Sequence, residues 1–363
     1  VYRLIRPLLF KLGPERAHRL TLAMLRGAYR IPLAPRMLRA VYAARTAELP
    51  VTVMGLTLAN PLGLAAGLDK NAECVTPLRD LGFGAIELGT VTPRPQPGNP
   101  KPRMFRLPAH DAVINRMGFN SAGLERFTSN LTHAERAGVV IGANIGKNAD
   151  TPIDRALDDY LAGMRAVYAL ADYIAVNISS PNTRDLRTLQ ERDALGLLLG
   201  SLAQEKRRLA RQHGRAVPLA VKIAPDLDAA QIAAVAGALL DHGMDGVIAT
   251  NTTVARPGLA QHPLSHESGG LSGRPLREMS TSVVRALYAE IKGRIPIIGV
   301  GGISSADDAW ERLVAGADAL QVYTALIYRG PALVRDIVNG LALRTREAGC
   351  ATLTEAVARA RSQ

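Results

Sequence analysis

Cysteine is nearly absent from this chain: Cys74 and Cys350 are the only two among 363 residues, far apart in sequence. A disulfide framework and a cysteine-rich metal site are thereby excluded, and a reducing cytoplasm fits. The seven histidines are scattered, and neither HExxH nor CxxC occurs, so no metal is expected. No stretch offers 18 uninterrupted apolar residues, so no membrane-spanning helix is expected. The opening "VYRLIRPLLFKLGP" lacks a long apolar core followed by a small-residue cleavage site, which argues against a secretory signal. Acidic residues are scarce at one end only. Residues 1–50 carry ten Lys and Arg against Glu15 and Glu48, which accounts for +8 of the net +12.

A basic segment of that kind raises the question of an anionic partner. The arginines alternate with leucines instead of clustering, so no nucleic acid is expected. Leu8, Leu9 and Leu12, then Leu20, Met24 and Leu25, recur at helical spacing. "GPERAH" separates a first helix from a second, and "YRIPLAP" ends the second. Two basic amphipathic helices fit a module lying on an anionic membrane surface. They fit equally a pair of helices packed on the main domain with a solvated arginine face.

From residue 60 onward short apolar runs alternate with helical stretches such as "TPIDRALDDYLAGMRAVYAL". Eight runs are expected to be strands: Leu62–Ala66, Ala85–Gly89, Val140–Ile145, Tyr173–Ile178, Leu219–Ile223, Gly246–Thr250, Ile297–Val300 and Ala319–Tyr323. They are continuous, as in parallel strands covered on both faces. Eight right-handed βαβ units predict a (β/α)8 TIM barrel with an N-terminal amphipathic helical extension. The proline- and glycine-rich segment 91–120 is too long for a simple loop and is expected over the barrel mouth.

The chemistry gathers at the C-terminal end of each run. In order, these ends read "AAGLDKN", "ELGTVTP", "ANIGKN", "NISSPNT", "KIAPD", "TNTT", "GVGGI" and "YTALI". In a barrel they converge on one face, where active sites lie. Turn chemistry explains some of them. It does not explain Lys70, Lys222, Asn144 or Asn177, which sit within or just past the apolar runs and need polar partners. "GGLSGRP" (269–275) and "GVGGI" (299–303) let backbone N–H groups approach a phosphate, and "YTALI" begins a helix. Lys222 suits either stabilisation of a reduced flavin or, as the alternative, a Schiff base in a phosphate-binding barrel lyase. The asparagines suit a planar heterocycle rich in carbonyl and N–H groups. Lys70 and the amides of "NRMGF" (115–119) suit a substrate carboxylate.

Together "AAGLDKN", "GTVTPRPQPGNPKPR", "INRMGFNS", "NISSPNT…LRTLQ", "KIAPDL", "DGVIATNTT", "GGLSGRPL" and "IIGVGGI" resemble the membrane-associated, quinone-reducing class of dihydroorotate dehydrogenases. The resemblance covers nearly the whole chain. It implies an FMN-containing enzyme that oxidises dihydroorotate to orotate in de novo pyrimidine synthesis, with a membrane quinone as final acceptor. The implied FMN contacts are Ala66, Gly67, Leu68, Asp69, Lys70, Thr90, Asn144, Asn177, Lys222 and Thr250. Gly273, Gly302, Tyr323 and Thr324 would surround the phosphate. The implied substrate contacts are Lys70, Asn115, Arg116, Met117, Gly118, Phe119, Asn177, Asn182, Asn251 and Thr252.

The resemblance also makes Ser180 the catalytic base, with Ser179 turning the loop and Thr183 passing a water near Phe119. The fumarate- and NAD-linked classes carry cysteine at the position of Ser180 and lack the N-terminal extension. One departure is Arg184-Asp185, where the quinone class has a Pro-Gly-like pair. The implied division is a membrane and quinone-access module at 1–45 and an FMN-binding barrel at 46–363. Leu8, Leu12, Leu20 and Met24 are candidate lining for a quinone tunnel. The expected location is peripheral, on the cytoplasmic side of a bacterial inner membrane.

Overall fold

Eight short strands pair in sequence order, and the eighth closes on the first to make a parallel barrel. The computed structural model describes residues 2–362. The barrel strands are β1 (Leu62–Leu64), β2 (Ala85–Val91), β3 (Val140–Ile145), β4 (Tyr173–Asn177), β5 (Leu219–Ile223), β6 (Gly246–Ala249), β7 (Ile297–Val300) and β8 (Ala319–Val322). All eight coincide with the expected runs. Three match to the residue, four end one or two residues early, and β2 runs two residues further. Every residue of β2 is buried, which is why alternation was absent from the sequence.

The segment after β2 forms a hairpin, Met104–Leu107 with Ala112–Asn115, and Gly270–Gly273 adds a third antiparallel strand. This small sheet has its own apolar cluster of Leu107, Ala112, Ile114, Leu259 and Leu271. The stretch "GGLSG" is thus mostly strand, and only its last two residues, Ser272 and Gly273, reach the pocket.

Three helices precede the barrel where two were expected: α1 (Tyr2–Lys11), α2 (Pro14–Ala28) and α3 (Ala34–Val41). Pro35 concealed the third, since proline reads as a breaker but is tolerated in a helix's first turn, where its missing N–H would find no partner. The Arg106 guanidinium donates to the carbonyls of Leu9, Phe10 and Leu12 at the end of α1, and stacks 4.5 Å from the Phe10 ring centroid. Arg103 donates to both Glu15 oxygens on α2, at 3.2 and 2.9 Å. Two arginines of the mouth hairpin therefore tie the helices in place.

Leu8, Leu20 and Met24 do not face the barrel; they are 64%, 41% and 60% exposed. On α2 the inward stripe is Ala17, Leu22 and Leu25, so of the three residues at helical spacing only Leu25 packs inward. Leu12 is half-buried, and none of these four lines the pocket at the barrel mouth. No described helix is long and apolar enough to cross a membrane.

Candidate functional site

A pocket opens at the C-terminal ends of the barrel strands and extends between the mouth sheet and α2. Beneath it lies Glu87 on β2, fully buried and surrounded by four donors. Asn144 Nδ2 and Gln321 Nε2 each lie 2.8 Å from a carboxylate oxygen, Tyr173 Oη at 3.0 Å and Lys222 Nζ at 3.1 Å. A buried carboxylate is tolerable only with this many partners. Burial and Glu87 push the Tyr173 hydroxyl far above its ordinary pKa, so it stays a neutral donor. Lys222 and Gln321 face the pocket. Gln321 Oε1 is buried without a partner.

Above this floor the amides form a chain. Thr90 Oγ1 donates to Asn144 Oδ1 at 2.5 Å, and Asn177 Nδ2 reaches Thr90 Oγ1 at 3.1 Å. Asn251 Nδ2 donates to Ser179 Oγ at 3.0 Å and to Asn177 Oδ1 at 3.3 Å. Ser179 is therefore a buried link within the loop, and Ser180 is the serine that faces the pocket. Ser180 Oγ accepts the Asn182 N–H at 3.2 Å and has no histidine or carboxylate partner. The loop is pinned from behind by Arg187, which donates to the Ser179 carbonyl at 3.0 Å, the Thr252 carbonyl at 2.9 Å and Asp226 at 2.8 Å.

Arg184 and Asp185 point to solvent and pair with each other at 3.3 Å, with side chains 92% and 59% exposed. Asp185 has φ 54°, a left-handed conformation that glycine takes freely and aspartate tolerates better than most residues. The departure therefore bears on the loop's surface and leaves the Ser180 contacts intact.

The late loops build a cradle of backbone. Gly273 has φ 97°, and a Cβ there would stand 2.2 Å from the Asp111 carbonyl. Gly302 has φ 74°, and its Cβ would stand 2.5 Å from the Arg277 Cα. Only glycine fits either turn, so the backbone itself forms the surface. Ser272, Ser304 and Thr324 line the same end.

The opposite wall carries Lys70, which donates to Asn120 Oδ1. Burial, and then repulsion from Arg103, push its pKa down to about 7. His18 on α2 also faces the pocket; burial and Lys70 push its pKa down to about 4, so its imidazole is neutral at pH 7.

Of the residues expected at the site, the pocket collects Ala66, Gly67, Lys70, Thr90, Asn177, Ser180, Lys222, Thr250, Gly273, Gly302, Tyr323 and Thr324. It also collects Asn115, Met117, Gly118, Phe119, Asn182, Asn251 and Thr252. The others lie elsewhere. Asn144 sits behind Thr90 and Asn177 as a support. The Asp69 carboxylate is spent on the N–H groups of Glu73 and Cys74, and Leu68 is half-buried outside the lining. Arg116 turns away to Glu267 at 2.5 Å. Thr183 is buried without reaching the pocket. Sequence reasoning missed Glu87, Gln321, Arg103 and His18. A charge inside a continuous apolar run was the available signal for Glu87, and "GPERAH" contained His18 but read only as a helix break.

A barrel whose mouth joins two glycine-only turns, a floor of amides and buried charge, and a pocket-facing serine without an ionisable partner has the features of a barrel enzyme with its site at the strand ends. A family model described as dihydroorotate dehydrogenase matches residues 48–344. A Chromobacterium violaceum protein named dihydroorotate dehydrogenase (quinone) is 57% identical over 342 residues, covering 94% of this chain and 98% of its own. A protein of that name from Thiobacillus denitrificans is 56% identical, covering 94% and 99%. The crystal structure of an Eimeria tenella DHODH in complex with ferulenol superposes with a TM-score of 0.87 at 40% identity, covering 97% of this chain and 98% of that one. The chain belongs to the dihydroorotate dehydrogenase family.

Proposed function

We propose that this chain is a quinone-dependent dihydroorotate dehydrogenase, oxidising dihydroorotate to orotate in pyrimidine synthesis with FMN as its cofactor. Enzymes of this family are flavin-dependent, and the pocket fits such a group. The orphaned Gln321 Oε1 and the Lys222 ammonium at the floor suit a ring of carbonyl and N–H groups, and the turns at Gly273 and Gly302 suit a phosphate. Ala66, Gly67, Thr90, Asn177, Lys222, Thr250, Tyr323 and Thr324 would hold FMN, which supplies the hydride acceptor when bound. The observation that carries the reading is Ser180: a pocket-facing hydroxyl with no ionisable partner, in a pocket lined also by amides and Lys70.

Ser180 takes the proton from C5 of dihydroorotate while passing its own hydroxyl proton on to solvent, and the C6 hydride would go to the bound flavin, so the C5–C6 double bond forms with both hydrogens accounted for. A serine is a weak base at neutral pH, so the developing enolate must be stabilised by fixed groups. Asn115, Asn177, Asn182 and Asn251 orient the ring, and Lys70 binds the carboxylate. The lyase alternative is not favoured. Lys222 is ion-paired with Glu87, and a protonated amine has no lone pair to attack a carbonyl.

Residues 1–45 would form the membrane and quinone-access module and 46–363 the barrel domain. Leu4, Ile5, Leu8, Leu20, Met24, Ile31, Leu33, Met37 and Val41 are exposed, whereas the rest of the described chain exposes only Leu197, Val254 and Leu343 among large apolar residues. A patch so concentrated marks an interaction surface, and its arginine surround suits an anionic bilayer. The reading is of a peripheral enzyme on the cytoplasmic side of a bacterial inner membrane. Quinone would enter beside His18, between α2 and the mouth sheet.

The first test is an anaerobic absorbance spectrum of the purified protein before and after dihydroorotate. A flavin band that bleaches is expected; a protein that takes up no flavin returns the lyase reading. A second expectation concerns pH. The protonated Lys70 binds the carboxylate, and its pKa near 7 means the charge is present below pH 7 and lost above it. Orotate affinity should therefore fall by up to about tenfold per pH unit above 7. Titration of flavin absorbance from pH 6 to 9 reads this directly, with Lys70→Met expected to be weak and flat. A wild-type profile as flat as the variant's would rule the role out.

A further inference from the structure

Arg312 is wholly buried on the helix Ala306–Val314, directly beneath "GVGGI". A Cβ on Gly299 would stand 2.6 Å from its Cγ. Its five N–H groups all reach neutral oxygens. Nε donates to Thr281 Oγ1 at 3.1 Å, and Nη1 to Ser280 Oγ at 2.8 Å and the Val300 carbonyl at 3.2 Å. Nη2 donates to the Arg277 carbonyl at 3.0 Å and the Gly301 carbonyl at 2.9 Å. Its hydrogen bonding is complete, yet among the described residues no carboxylate forms an ion pair with it, and Glu311 and Asp308 act on its charge only from beyond contact.

The nearest carboxylates are committed elsewhere. Asp308 pairs with Arg277 at 2.8 Å and accepts from the Ser304 N–H and hydroxyl. Glu311 is half exposed and lies 4.0 Å from Arg277. Burial pushes the Arg312 pKa down to about 10, which still leaves it charged at neutral pH. An isolated buried cation is costly unless an opposite charge lies close. Val300 and Gly301, whose carbonyls it holds, form the pocket wall at the cradle together with Gly302.

We propose that Arg312 supplies, from behind the Gly301–Gly302 turn, the positive charge that selects a phosphate-bearing flavin over an uncharged one. The inference rests on the FMN reading of the pocket. The ligand does not touch Arg312, so it is a positioning residue: it fixes the turn's carbonyls, which leaves the turn's N–H groups free to face the pocket, and its field favours a dianion there.

The test is flavin affinity, read by fluorescence quenching on titration of the full chain stripped of flavin, at pH 7.5, where a phosphate monoester is largely dianionic. Arg312→Gln should bind FMN about tenfold or more weakly than wild type while binding riboflavin as wild type does. Arg312→Lys keeps the charge without the five bonds. It should keep the FMN preference at pH 7.5 and lose it at a lower pH than wild type does, because the burial that brings Arg312 down to about 10 also lowers a lysine from its ordinary value of about 10.4. An Arg312→Gln chain with the wild-type ratio of FMN to riboflavin affinity overturns the proposal. If that variant fails to fold, an Arg312→Lys chain that has lost the preference at pH 7.5, or keeps it unchanged at high pH, overturns it instead. A wild-type chain that takes up neither flavin would overturn the FMN reading and is distinguishable from both.

Discussion

Replacing Ser180 with alanine should slow flavin reduction by dihydroorotate by about three orders of magnitude, the middle of the 10²–10⁴ range of a positioned proton acceptor. The neighbouring groups offer no substitute. Ser179 Oγ is held by Asn251 and donates to Asn177 at 3.1 Å, and no histidine or carboxylate bonds to Ser180. Reoxidation of the reduced enzyme by quinone should be unchanged, because that half-reaction does not use the C5 proton. Stopped-flow spectroscopy separates the two. Ser180→Cys should restore part of the rate and gain speed as pH rises through about 8.5, the ordinary thiol pKa. Ser179→Ala should cost less than Ser180→Ala, since it breaks one link in the amide chain and removes no reacting group. Reduction of Ser180→Ala at the wild-type rate would assign the base elsewhere.

The barrel was legible because parallel strands covered on both faces are continuous apolar runs, and their order along the chain is their order in space. The mouth was legible for a related reason: lysine and asparagine at the ends of such runs are hard to explain as packing. The interior network was not. Glu87, Tyr173, Lys222 and Gln321 come from four strands, and only closure of the barrel brings them within hydrogen-bond distance. Arg103 and His18 were hidden differently. Their roles depend on how α2 rests against the mouth hairpin, and leucine periodicity mixed the outward Leu20 and Met24 with the inward Leu25.

The true orientation of α2 bears on how a quinone reaches the site. With Leu20 and Met24 looking outward while His18, on the same helix, looks into the pocket, α2 has an exposed side and a side that faces the pocket. A quinone leaving a bilayer under the helices would then travel only the width of α2 to reach the barrel mouth. Arg103 and Arg106 hold that spacing from the hairpin, and Glu15 is held ionised by Arg103, its pKa below the ordinary carboxylate value.

The combined variant Leu8→Ser, Met24→Ser, Met37→Ser should accordingly lose membrane binding by about 10³-fold. The three side chains are 64%, 60% and 66% exposed and lie on α1, α2 and α3. Burying each such side chain in an apolar phase is worth about 1.5–3 kcal/mol. Taking the lower figure, and every 1.4 kcal/mol as a factor of ten, gives the thousandfold loss. Cosedimentation with phospholipid vesicles measures it. Binding of wild type should also be stronger to anionic than to neutral vesicles, and the difference should shrink with salt, since Arg16, Arg19 and Arg36 are exposed on the same helices. None of the three substituted residues lines the pocket, so melting temperature and turnover with a water-soluble quinone should stay as in wild type. With a long-chain quinone in vesicles, turnover should fall in proportion to the protein released. A variant that sediments as wild type does would return the helices to ordinary packing with a solvated arginine face.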